Sequence, residues 1–258
     1  YLSISVEQNT QEMVRSTPVS TGEVLAGSTT RSIKQKLQRK SDMTKSPSIA
    51  EMHSPYFVQR VSIGNELAGR SRQDVFSQIC KNRRVLHIGC ADWPITNVQN
   101  SLHVQLENVC AHLDGFDIHV ESLDMLRPHV KGSLYSDWND ITGQYDVILI
   151  PEVLEHVPDV KSFLEKIDSI NAGDIILTVP DAFQCARRHF EYQEQGEEFI
   201  EIVHPDHNCW YTPYTIKNTI TKYTSWKIDG LWFFNNIAIL AVITKQPPAK
   251  AGGFALRT

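Results

Sequence analysis

A short apolar segment, Val85-Leu86-His87-Ile88, stops at Gly89, and a second, LDGFDI, follows later and delivers a carboxylate, Asp117, near its end. An apolar strand, a glycine turn, a helix and an acid at the tip of the next strand make half of a nucleotide-type cofactor site. Gly89 lets the backbone approach a ligand closely, and Asp117 can accept two hydrogen bonds from a ribose diol. Ligands of open α/β sheets bind beyond the carboxyl ends of the strands, so both residues are expected to face one crevice.

From Arg84 onward the chain alternates strand-like and helix-like patterns. Strands are predicted at 85–88, 115–119, 132–135, 145–150 and 174–179. The segment YDVILI at 145–150 is almost wholly apolar, as expected of a central parallel strand covered on both faces. Helical spacing marks 65–80 through Leu67, Val75, Phe76 and Ile79, then 162–170 and 213–224. Two apolar runs at 226–234 and 237–244 flank Asn235-Asn236, a turn signal that predicts an antiparallel hairpin. The fold class is therefore α/β, a seven-stranded and mostly parallel sheet with helices on both faces and a C-terminal antiparallel hairpin. Three regions are expected: a polar, solvated arm at 1–50, a catalytic domain at 51–245, and an unstructured tail at 246–258.

Composition narrows the function. A net charge of −5 and a pI near 6.1 disfavour a general nucleic-acid binder. Within the arm, however, Arg31–Lys45 carries six basic residues against one acid, Asp42. No apolar run is long enough to span a bilayer. Five cysteines at wide, unpaired spacings suit idle thiols in a reducing cytoplasm, not a zinc cluster or a disulfide framework.

The glycine turn itself is selective. Ala91 and Trp93 stand where further glycines would be, and Pro94 follows. A pyrophosphate needs close backbone approach over the whole turn, so NAD and FAD are disfavoured and a cofactor without phosphates is expected. Asp137, after the third strand, offers an acceptor for an adenine amino group, and Trp138 either stacks on the purine or fills the core. After the fourth strand, Pro151 opens a segment with Glu152, Glu155 and His156, where His156 either acts as a base or bridges to backbone. Further on, 182–212 is polar and aromatic, with Arg187 and Arg188 available to an anionic group, then His204, Asp206, His207 and Trp210. Histidine titrates near neutrality. His207 is the candidate general base, oriented by Asp206 or another carboxylate. It could instead anchor the helix starting near Pro213, or share a divalent metal with His204 and a carboxylate. No metal is assigned.

The order HIGCAD, LDGFDI, SLYSDW, YDVILIPEVLEHV and DIILTVPDAF resembles the class I S-adenosylmethionine-dependent methyltransferases over roughly residues 55–245. The resemblance implies a Rossmann-like sheet and S-adenosylmethionine as cofactor. It implies that His87, Gly89 and Cys90 lie against the methionine part, with His87 standing where the family usually has an acid. Asp117 and Ile118 then serve the ribose side, Asp137 and Trp138 the adenine, and Pro151 and Glu152 the floor beneath the methionine. With HPDHNCWYTPYTI downstream, the narrower resemblance is to methyltransferases of surface polysaccharides and sugars. It implies O-methylation of a sugar, a glycan or another small hydroxylated metabolite, with His207, His156 and Asp206 as the catalytic candidates. RNA or protein methylation, or a binding module without catalysis, are the alternatives. The sequence does not state an oligomeric form.

Overall fold

A computed structural model of the chain describes residues 47–94 and 97–245. The expected tail at 246–258 lies outside the described residues, as does the expected arm except for 47–50. Residues up to Gln59 form a unit of their own. Its described part holds two 3-10 turns, Ile49–Glu51 and Pro55–Phe57, the first closed by Ser48 and Glu51 capping one another.

The second unit begins at Arg60. Strand β1 (Gly64–Leu67) leads to helix α1 (Arg72–Cys80), then β2 (Arg84–Ile88), α2 (Leu102–Leu106), β3 (His112–Phe116), α3 (Val120–Leu126) and β4 (Leu134–Tyr135). Next come β5 (Tyr145–Pro151), α4 (Val160–Ser169), β6 (Ala172–Pro180), α5 (Ala182–His189), β7 (Phe190–Gln193) and β8 (Glu198–Glu201). Helix α6 (Pro213–Tyr223) and the strands β9 (Lys227–Phe234) and β10 (Ala238–Thr244) close the unit. The main sheet runs β1-β9-β10-β6-β5-β2-β3-β4. Only β10 runs against its neighbours, pairing antiparallel with both β6 and β9. The Rossmann-like sheet and the terminal hairpin are as expected, and Asn235 and Asn236 both take the positive φ that its tight turn demands.

The sheet has eight strands, not seven. The extra one is β1, which pairs parallel with β9 at the edge, Gly64 opposite Trp232 and Leu67 opposite Phe234. Helical spacing over 65–80 thus misplaced the helix start. Ser71 accepts a hydrogen bond from the Asp74 N–H (3.1 Å) and caps α1 there, while Leu67 is spent on the sheet. The 182–212 stretch also holds more order than its polarity suggested, namely α5 and the separate β7–β8 hairpin.

Strand alternation divides the core between two faces. Leu86, Ile88, Ile148, Ile150, Ile175 and Leu177 pack with α4 and α6 through Phe163, Leu164, Ile216 and Ile220. On the opposite face Val85, Val147, Leu149 and Ile176 meet α1 and α2 through Val75, Phe76, Leu102 and Leu106. Fully burying one such side chain contributes about 1.5–3 kcal/mol, so this double burial fixes the register of β2, β5 and β6 and, with it, where their carboxyl ends lie.

One polar pair interrupts the apolar faces. His87 of β2 and His103 of α2 are fully buried, their Nδ1 atoms 3.2 Å apart. Burial lowers both pKa values, that of His103 to about 4 against a smaller opposing pull from Asp114. Between about pH 4 and 6.5 the unfolded chain therefore binds a proton at this position that the folded chain refuses, so stability falls as pH falls. Urea unfolding should show a loss approaching about 3 kcal/mol from His103 across that window. The His103→Gln variant should have the shallower pH slope, and equal slopes would refute neutral burial of this ring.

Candidate functional site

The carboxyl ends of β2, β3 and β5 meet around Gly89. Its φ of +73° is a left-handed conformation that suits glycine. A side chain there would also strike Val153, whose Cγ2 lies 2.5 Å from where a Cβ would be. The turn is clamped to the end of β3. Gly89 N–H and Cys90 N–H donate to the Phe116 carbonyl (2.8 and 3.3 Å), and Ala91 N–H donates to Asp117 Oδ2 (2.9 Å). With three successive N–H groups spent inside the protein, the turn has carbonyl oxygens left for a ligand. Those three N–H groups are not available to a phosphate, which disfavours the pyrophosphate cofactors.

Asp117 is nearly buried, and its Oδ1 accepts from His119 N–H (2.9 Å). Burial raises its pKa, against the two backbone donors, which lower it. Each carboxylate oxygen keeps a lone pair after these bonds, so acceptor capacity remains for a diol. Ile118 beside it is 72% exposed, an apolar surface at the mouth of the crevice. Asp137 caps a 3-10 turn through Oδ1, bonded to Asn139 N–H and its side-chain amide. The Asp137 side chain is exposed.

Other expected cofactor residues turn inward. His87 meets His103, and the Cys90 thiol is buried with its pKa pushed well up by that burial. Only the backbone of Cys90 can serve a ligand. Trp138 packs on Phe116 (centroids 3.8 Å apart) and edge-on to Phe163, and its indole is half-buried against the core. Pro151 ends β5, and Glu152, at φ +55°, donates its N–H to the Thr178 carbonyl. The Glu152 carboxyl is buried and its pKa raised by desolvation, which Thr178 and Arg72 partly offset. Arg72 carried no signal in the sequence, since it reaches this place only by the packing of α1.

A histidine cluster adjoins this crevice. Trp93 stacks on His119 at 4.7 Å, with planes 12° apart, and meets His204 edge-on at 5.6 Å. His204 in turn lies 5.3 Å from His156, and His156 4.6 Å from His207, ring centre to ring centre. Two bonds from Asn208 hold the loop in place, its N–H to the Glu155 carbonyl (2.8 Å) and its side-chain amide to the His156 carbonyl (2.7 Å). Burial depresses the His156 and His207 pKa values, His207 to about 4, with the neighbouring imidazoles adding to the effect. Both rings are neutral at pH 7 and present lone pairs.

Asp206 does not orient His207. Its backbone N–H faces His204 Nδ1 (3.3 Å) and its carboxylate lies 3.8 Å from the same atom. The carboxylate grouped with His207 is Glu155, fully buried and 3.9 Å from His156 Nε2. Nor does His207 cap α6, because Thr212 accepts from the Thr215 N–H and does so itself. Arg187 and Arg188 sit exposed in the last turn of α5.

A family model described as a methyltransferase domain matches residues 57–223. Among solved structures, an S-adenosylmethionine-dependent methyltransferase from Clostridium acetobutylicum is 12% identical, with 68% of this chain and 91% of that one covered at a TM-score of 0.49. One from Mesorhizobium loti is 11% identical, covering 68% and 99% at 0.45. A magnesium protoporphyrin IX methyltransferase from Synechocystis, with bound SAH, is 14% identical, covering 67% and 82% at 0.46.

Proposed function

Because this chain belongs to the methyltransferase-domain family, we propose that it methylates a hydroxyl group of a small acceptor, of the sugar or glycan class, with His207 taking up the hydroxyl proton. The observation that carries the reading is the set of neutral imidazoles, His156 and His207, beside buried Glu155 and adjoining the crevice through Trp93. A hydroxyl nucleophile needs a base positioned at its proton.

The crevice fits S-adenosylmethionine. Carbonyls at the glycine turn suit its ammonium, the spare lone pairs of Asp117 suit the ribose diol, and exposed Ile118 suits the face of the adenine. Asp137 adds an acceptor for the adenine amino group. When bound, the cofactor would supply a sulfonium methyl to an in-line acceptor oxygen, the thioether sulfur leaving with the electron pair of the broken carbon–sulfur bond. Holding that oxygen on the methyl axis falls to the segments 152–157 and 204–211, and alignment of this kind supplies much of the rate. The imidazole of His207 receives the proton as the new bond forms.

Transfer of labelled methyl from S-adenosylmethionine to monosaccharides, sugar nucleotides, RNA and protein tests the reading. We expect a methyl ether on a sugar hydroxyl. Labelling confined to RNA or protein would overturn the acceptor class.

A further inference from the structure

We infer that Glu155, His156 and His207 form a binding site for a first-row divalent transition-metal ion on the acceptor side of the crevice. One ligand atom from each of the three lies within 4.8 Å of the others. Ligand atoms on a single ion of this size sit about 3 Å apart, so small side-chain rotations would close the set. The donors come from two separate segments, the turn after β5 and the 204–208 loop. The Asn208 hydrogen bonds to Glu155 and His156 hold those segments together, so the arrangement does not depend on the side chains alone.

Two further features suit an ion. Glu155 places a carboxylate in the interior at 0% exposure, against the rings of a histidine cluster. His207 Nδ1 is buried and accepts or donates no hydrogen bond among the described residues. A structural histidine normally uses both ring nitrogens, whereas a ligand nitrogen waits for its ion. Two imidazoles with one carboxylate select Mn²⁺, Fe²⁺, Co²⁺ or Zn²⁺ over Ca²⁺ and Mg²⁺, which favour all-oxygen sets. Three protein ligands leave coordination positions open, and hydroxyl oxygens of an acceptor can enter them.

The inference rests on reading this cluster as the acceptor side of a hydroxyl methyltransferase, and it changes one role in that reading: with an ion bound, His207 is a ligand and not the free base, and the ion would lower the pKa of the acceptor hydroxyl in its place. The site separates from the proposed function by experiment. Chelator-treated full-length protein is titrated with Mn²⁺ and followed by the EPR signal of the free ion. One equivalent should bind, and pulsed EPR of the wild-type complex should show nitrogen coupling from imidazole. Glu155→Gln and His207→Ala should each weaken binding at least about 30-fold while S-adenosylmethionine still binds. His129→Ala, at an exposed position elsewhere, should bind as wild type does. No bound Mn²⁺, or bound Mn²⁺ without nitrogen coupling, overturns the site even if the protein methylates sugars. Mn²⁺ binding with the expected coupling upholds the site even if no hydroxylated acceptor is turned over, and that failure falls on the proposed function alone.

Discussion

Asp117→Ala should weaken S-adenosylmethionine binding by about 10²–10³-fold in isothermal titration calorimetry. A ribose diol can donate two hydrogen bonds to one carboxylate. Charge-assisted bonds contribute about 1.5–3 kcal/mol each, and a factor of ten corresponds to about 1.4 kcal/mol. Alanine also frees the N–H groups of Ala91 and His119, which Asp117 now holds. The turn would loosen, and part of the loss would come from that. Asp117→Asn separates the two effects, since its amide oxygen can keep one of the backbone bonds while losing charge toward the ligand. An intermediate loss of about ten-fold in this variant, with thermal stability near that of wild type, would place the effect on the ribose. Unchanged affinity in Asp117→Ala would remove the assignment.

Much of the fold was legible because it is written locally. The strand 145–150 declared itself through a run that is apolar but for Asp146, and from Val147 to Ile150 it is buried on both faces as that pattern requires. Asn235-Asn236 declared the hairpin through the backbone conformation those residues tolerate. What escaped was set by distant partners. Strand β1, Gly-Asn-Glu-Leu, has no β-branched or aromatic residue and exists because β9 offers an edge. The start of β3 was hidden by polar His112 and Asp114. Asp114 is tolerated in the strand because Tyr145 Oη and Ser133 N–H donate to it at 2.8 and 2.7 Å.

The site divides in the same way. Gly89 and Asp117 were readable from order and spacing, since strand ends in a parallel sheet converge whatever lies between. The partners of each histidine were not. Asp206 is adjacent to His207 in sequence yet serves His204, while Glu155, far away in sequence, is brought near by the Asn208 bonds. The packing of Trp138 on Phe116 and Phe163 was likewise announced by no local pattern.

His207→Ala should lower turnover of the hydroxylated acceptor by about 10²–10³-fold and leave S-adenosylmethionine affinity within about two-fold, the typical scale of a lost general base. The separation follows from place: the proposed cofactor contacts lie on the ends of β2 and β3, whereas His207 belongs to the loop latched onto the turn after β5. His204→Ala is the informative companion. His204 borders Trp93 and Asp206 and stands outside the group formed by Glu155, His156 and His207, so its loss should cost less than about ten-fold. Equal losses in the two variants would mean that the loop acts through its shape and not through one nitrogen. Added Mn²⁺ then reads the role of that nitrogen. A ligand lost from a three-residue set weakens the ion without abolishing it, so excess Mn²⁺ should restore part of the turnover of His207→Ala. A proton acceptor has no such substitute, and turnover that ignores Mn²⁺ would return His207 to the role of base.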